Sequence, residues 1–299
     1  MPFRSLVIEN PAYISVRNSQ LLIRTDEEHS VAFEDISAIL LESLQSTITT
    51  AALSRLGQCG CVVFTCDEKH TPCAVLTPFQ QHSHAVSVLR NQLNATEPTK
   101  KRLWQATVRE KIRNQARCLQ LSGVPDQAQR LFSLADSVRS GDPGNVEAAA
   151  AQLYFPALFG DGFFRGSDNG INAGLNYGYA ILRGCIARLL AVYGFLPALG
   201  IHHRSGLNSF NLADDLIEPY RPVIDLLVSQ SMAPEDELTP TVKRMLFNCL
   251  NLDILSGGQH HSVSYAAERT VRSLGAAFAE KGAKLILPEL LPTSQHRYE

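Results

Sequence analysis

Long uninterrupted apolar runs are missing from this sequence. The most apolar long stretch, Ile171 to Gly194, carries Asn172, Asn176, Arg183 and Arg188, so it reads as a buried helix and excludes a membrane span. The start, MPFRSLVIENPAY, meets an acid and a proline too early for a signal-peptide core, which points to the cytoplasm. Seven cysteines, an odd number, fit reduced thiols there better than a disulfide framework. Cys59, Cys61, Cys66 and Cys73 lie close together, but inside an apolar strand pattern; small buried hydrophobes are the expectation and a zinc site the alternative. The first 80 residues hold no phosphate loop, no G-x-G-x-x-G and no nucleophile elbow, and there is no internal repeat or low-complexity tract. Strong net charge is absent too: a formal −2 excludes a uniformly basic nucleic-acid binder.

The charge that is present is unevenly placed. Residues 1–96 hold six Lys or Arg against nine Asp or Glu, whereas residues 97–140 hold nine against four. A basic middle segment is the electrostatic footprint expected for phosphate contacts. Lys100, Lys101 and Arg102 open it, and Arg109, Arg113 and Arg117 recur every four residues along one helix face; Lys243 and Arg244 lie on a later helix. Such a stripe is either a solvated face or a DNA-binding surface.

Periodicity predicts an α+β protein. SLVIEN, AYISVRN, SQLLIRT, SVAFED and AILLES read as short strands, with a helix from Thr50 to Leu56 stopped at Gly57 and a further strand in CVVFTCD. This is a small N-terminal β-rich domain, β-sandwich-like with one helix, over residues 1–80, whose sheet edges suit dimerisation. Residues 81–100 are a linker. The pattern then turns helical, giving a larger all-α C-terminal domain over residues 101–299. There Asn145 is the expected N-cap of a helix running to Phe159, Pro240 to Leu255 is a helix, and SGGQHHSVSY is a flexible turn with His260 and His261 on the surface.

Reactive side chains concentrate in Leu199 to Pro222, LGIHHRSGLNSFNLADDLIEPYRP. On a helix from Asn211 to Glu218, Asp215 and Glu218 are one turn apart, and Pro219 and Pro222 break it. A loop returning His202 or His203 would join an imidazole to two carboxylates, a set that suits Mg²⁺ or Mn²⁺ better than zinc. The alternative is a solvated acidic face. Glu147, in the first turn of its helix, is explained locally by the helix dipole.

The pieces LWQATVREKIRNQARCL, GNVEAAAAQLYFPALF, DNGINAGLNYGYAILR and LPALGIHHRSGLNSFNLADDLIEPYRP, with FEDISAILLES in the N-terminal part, cover most of the chain and resemble, in the family's order, the CRISPR-associated adaptation integrases, the first Cas protein, in their type II form. From about Ala233 on the match is loose. The resemblance implies that Glu147, His203 and Glu218 are catalytic and bind the divalent metal. Asp215, Asn172, Tyr177 and Arg221 are supporting neighbours. It implies a metal-dependent integrase and endonuclease of CRISPR antiviral defence, inserting short donor DNA into a repeat array by 3′-hydroxyl attack on a phosphodiester. The implied partners are double-stranded DNA, a second copy of the chain, the small second Cas adaptation subunit in a heterohexamer and, optionally, the type II effector nuclease. A nuclease without strand transfer and a non-catalytic architectural DNA-binding subunit are the alternatives. Clustered acids without metal would repel, so removing Glu147 is expected to ease folding.

Overall fold

The computed structural model describes residues 4–68, 70, 72–76 and 84–297. In chain order the elements are β1 (Arg4–Ile8), β2 (Tyr13–Arg17), β3 (Gln20–Arg24), β4 (Glu28–Ala32), β5 (Ile36–Leu41), β6 (Thr47–Ile48), α1 (Thr50–Gln58), β7 (Val62–Cys66) and β8 (Pro72–Leu76). Then come α2 (Ala85–Leu93), α3 (Glu97–Leu121), α4 (Pro125–Ser137), α5 (Val146–Phe159), α6 (Gly170–Val192), α7 (Asn211–Ile217), α8 (Arg221–Ser231), α9 (Pro240–Phe247), β9 (Asp253–Ser256), β10 (Gln259–Ser262), α10 (Val263–Ala279) and β11 (Pro288–Glu289).

Two four-stranded sheets, ordered β4-β3-β2-β6 and β1-β5-β7-β8, make the β-rich part. In the second sheet β1, β5 and β7 run parallel, and the apolar runs of the central strands β5 and β7 are buried on both faces, as such strands require. Alternation divides them: Ile36, Ile39 and Val63 join Ile14, Leu21 and Leu56 in a core shared with the first sheet and α1. Ala38, Leu40, Val62 and Phe64 face the other way, into a core continuous with the helices. Gly184 of α6 marks that contact, because a Cβ there would lie 2.1 Å from the fully buried Phe64 ring. Gly184→Ala is expected to cost about 1–3 kcal/mol by overpacking, seen as a melting point several degrees lower.

Several expectations are corrected. Helix α1 passes through Gly57, with the Thr49 hydroxyl capping its start and Gly60, at φ +70°, following it. The expected linker falls partly on 81–83, outside the described residues, as are 77–80; beyond them α2 and the start of α3 fill it. The C-terminal part is mostly helical but not all-α, since β10-β9-β11 form an antiparallel sheet. The Pro240 helix ends at Phe247, a 3-10 turn covers Asn248–Asn251, and within SGGQHHSVSY the residues Ser256 to Ser262 make a tight hairpin while Val263 opens α10. Gly257 and Gly258, at φ +60° and +77°, supply the two left-handed positions that such a hairpin needs. His260 and His261 therefore lie on a strand, with His260 paired to Asp253 at 2.6 Å.

Among the described residues, no helix is long and apolar enough to cross a membrane.

Candidate active site

Four segments converge on the site: α3, the start of α5, the loop before α7, and the 3-10 turn Glu218–Tyr220 that links α7 to α8. Pro219 lies in that turn and donates no N–H, so Glu218 leaves the regular helix and is turned toward α3. The Pro219 carbonyl accepts from Asn114 Nδ2 at 2.7 Å, and Asn114, fully buried, also holds Pro288 and Leu290. This fixes α3 against the turn. Lys111, one turn earlier on α3, thereby reaches Glu218.

Asp142, not Asn145, caps α5. Its two oxygens accept from the N–H groups of Val146 (2.9 Å) and Glu147 (3.0 Å), while Asn145 adopts a left-handed backbone with no side-chain cap. Glu147 is thus held at the helix start, its carboxylate directed at α3. Lys111 Nζ lies 2.6 Å from Glu147 Oε1 and 2.6 Å from Glu218 Oε2, so one ammonium bridges both acids. The second contact is an ion pair without hydrogen-bond alignment, since Glu218 Oε2 otherwise has no partner. Arg221 Nε donates to Glu218 Oε1 at 2.9 Å. Burial alone would raise the Glu218 pKa, but Lys111 and Arg221 outweigh it and hold the carboxyl below its ordinary range. The same acids hold Lys111 above the usual lysine value despite its burial.

The His203 loop is built on Asp215. One oxygen of this fully buried carboxylate accepts from the N–H groups of Ile201 (2.5 Å) and His202 (3.0 Å), the other from His203 N–H (3.1 Å) and ring Nδ1 (2.7 Å). Gly200 is required there, as a Cβ would lie 2.4 Å from the His203 carbonyl oxygen. The hydrogen bond to Asp215 raises the His203 pKa and leaves Nε2 for another partner. His202 stacks flat on buried Trp104, ring centroids 4.2 Å apart.

Glu147 and Glu218 therefore meet, on Lys111. His203 feels the Glu218 charge, yet among the described residues no three His, Cys, Asp or Glu side chains stand close enough to hold a metal. This holds also for the cysteines, of which Cys61 and Cys66 are buried and Cys59 and Cys73 exposed. Asp215 anchors the loop and Arg221 touches Glu218, as neighbours. Asn172 fastens the loop before α6, accepting from Arg165 and donating to the carbonyls of Phe164 (2.9 Å) and Ser167 (3.0 Å). Tyr177 is buried beside Cys66, Glu42 and Cys249, away from the site. The tyrosine at the site is Tyr179, whose ring lies under the Arg221 and Arg165 guanidiniums.

Most of the anticipated basic surface is engaged internally. Arg109 donates to the carbonyls of Ala135, Asp136 and Val138 at the end of α4, Arg113 pairs with Asp136 at 3.0 Å, and Arg117 binds Glu110, Asn114 and Glu289. Lys243 is buried against Glu42 at 2.7 Å, and Arg244 pairs with Glu9 at 3.2 Å. Arg109 and Arg113 thus tie α3 to the end of α4, and Arg117 ties α3 to β11. Lys101 stays exposed and Arg102 half-buried, while Lys100 lines a cleft of about 510 Å³ with His203, Arg204 and Asn208.

Asp225 of α8 lies fully buried under the site, accepting from Tyr154 Oη at 2.9 Å and from Tyr179 Oη. Burial pushes its carboxyl up to about 6. The folded pKa is raised, so the stability it contributes is complete below the ordinary carboxylate pKa and is lost as pH rises through about 6. Asp225→Asn is expected to flatten the melting point between pH 5 and pH 8, with a value at pH 8 no lower than wild type; thermal melts across that range check it.

Lys111, Asn114, Asp142, Tyr179 and Asp225 escaped sequence reasoning. Only Lys111 left a signal, as a cation in the basic segment two residues off the arginine spacing.

The family described as CRISPR associated protein Cas1 matches residues 6–241. A relative from Neisseria meningitidis serogroup C (strain 8013), named CRISPR-associated endonuclease Cas1, is 47% identical over 304 residues, covering 100% of both chains. A solved casposase bound to integration product superposes with a TM-score of 0.74 at 20% identity, covering 95% of this chain and 92% of that one. A chain of a Cas6-RT-Cas1–Cas2 complex gives 0.70 at 19% identity, covering 96% and 36%. At those identities the two structures speak to the fold alone. Matched by the family over most of its length and by a relative from end to end, the chain belongs to the CRISPR associated protein Cas1 family.

Proposed function

We propose that this protein is a metal-dependent DNA strand transferase and endonuclease of CRISPR adaptation, with Glu147, His203 and Glu218 as its ligands. The observation that carries the reading is the meeting of Glu147 and Glu218 on one cation, 2.6 Å from an oxygen of each. Two carboxylates that already share a cation, with an imidazole Nε2 on a nearby rigid loop, are a donor set for Mg²⁺ or Mn²⁺ and not for a thiolate-rich zinc site. When bound, the ion supplies polarisation of a phosphodiester and stabilisation of charge on the departing oxygen. The chain does the rest. Asp215 fixes the tautomer and position of His203, whose Nε2 serves as ligand or passes a proton to the leaving 3′-oxygen. Arg221 keeps Glu218 ionised inside the protein. Lys100 borders the His203 cleft and, with Lys101 and Arg102, binds phosphates of double-stranded DNA.

The names of the relatives, an endonuclease, an integration product and a complex with Cas2, support DNA and the small second adaptation subunit as partners. Residues 1–80, with their sheet edges, are our candidate for contact between two copies, and the type II effector is a further partner. The test uses the full chain, its small partner subunit, Mn²⁺, a donor duplex with free 3′-hydroxyls and a repeat-containing plasmid. Donor joined at the repeat, and lost with a 3′-dideoxy donor, is expected. Plasmid hydrolysis without joined product would leave a nuclease only.

A further inference from the structure

Lys111 stands where two carboxylates face one another, 2.6 Å from each. We propose that Lys111 is a positioning residue, a built-in cation that holds the acidic site together before metal arrives and that a divalent ion displaces into the cavity beside Gln115. The inference rests on the reading of Glu147 and Glu218 as metal ligands. An ammonium and a divalent ion compete for these two oxygens, because two cations held at so short a separation repel strongly. Lysine can leave: its charge sits on a flexible four-carbon stem, with three donors free to rotate.

A destination is at hand. Lys111 and Gln115, one turn apart on α3, line a common cavity of about 150 Å³ with Arg165, Tyr179, Glu218 and Asp225. Gln115 is 2% exposed, and its buried Oε1 has no hydrogen-bond partner. A buried acceptor without a donor is costly, so this oxygen is a vacant seat for an N–H group. An ammonium entering it satisfies Oε1 and faces the Asp225 carboxylate, which offsets the Arg165 and Arg221 guanidiniums in the same wall.

The test titrates Mn²⁺ into the full-length protein without DNA, reading affinity by electron paramagnetic resonance and melting point with and without metal. Lys111→Met is expected to melt lower than wild type without metal, to bind Mn²⁺ about tenfold more tightly and to gain more in melting point from it. Gln115→Leu, which removes only the seat, is expected to bind Mn²⁺ several-fold more weakly than wild type; it carries the test if Lys111→Met does not fold. Unchanged or weaker Mn²⁺ binding in Lys111→Met, or unchanged binding in Gln115→Leu, overturns the proposal. Loss of Mn²⁺ binding in Glu147→Gln and Glu218→Gln alongside either result confines the failure to Lys111. Binding indifferent to both glutamates overturns the metal-site reading as well.

Discussion

Glu218→Gln is expected to lower the joining of a donor 3′ end to a repeat-containing plasmid by at least about 10³-fold, while DNA binding stays near normal. Gln keeps the shape of Glu and the acceptor for Arg221 Nε, so the turn between α7 and α8 survives. What disappears is one of two anionic ligands, and a metal contribution of several kcal/mol to the transition state corresponds to three or more powers of ten. Glu147→Gln should behave alike. Neither change should ease folding, contrary to what clustered acids suggest in the sequence, because Lys111 already neutralises the pair. The acid limb carries a further signature. A depressed carboxyl pKa gives stability that is present above the ordinary carboxylate value and lost as pH falls through the folded one, so Glu218→Gln should lose less stability on acidification than wild type. Single-turnover joining, filter binding and acid melts check the three parts.

Asp215→Ala should be the most destabilising change at the site, lowering the melting point by about 5–10 °C. It strips the acceptor from three backbone N–H groups, of Ile201, His202 and His203, in a region where water does not replace it freely. At about 1–2 kcal/mol for each orphaned donor the loss is about 3–6 kcal/mol. Joining should fall about 10- to 100-fold even in folded protein, because His203 loses the partner that orients its ring. Asp215→Asn separates charge from shape. Its pH dependence follows from the raised pKa of His203, whose stabilisation is complete below the ordinary histidine value and lost as pH rises through the folded one. In Asp215→Asn that decline should vanish, as read from melts between pH 5.5 and pH 8.5.

Much of this fold was legible because alternation and helical period are local. The strands β1 to β5 and the helices around Glu147, Asp215 and Glu218 follow from spacing alone. The corrections all involve partners that spacing does not name. Asp215 looks like a ligand one turn from Glu218, but its carboxylate turns toward the loop and binds four N–H groups. Arg109, Arg113 and Arg117 look like a phosphate stripe because nothing in their spacing names the end of α4, which receives the first two, or Glu289 of β11, which receives the third. Lys111 is on a different face of the same helix, and nothing local says that this face meets two glutamates from elsewhere. Tyr177 and Tyr179 are two residues apart on α6 and so point to different surroundings, one toward the N-terminal sheet and one toward Arg221. A glycine pair with two strand-forming flanks, Gly257 and Gly258, carried the hairpin signal that composition alone read as flexibility.

Counting tightly bound Mn²⁺ per protomer by electron paramagnetic resonance, in wild type and in Glu147→Gln, His203→Ala, Glu218→Gln and His202→Ala, tests the metal site most directly. One ion in wild type and in His202→Ala, lost or strongly weakened in the other three, is the predicted result. Equal binding in all five proteins would contradict it.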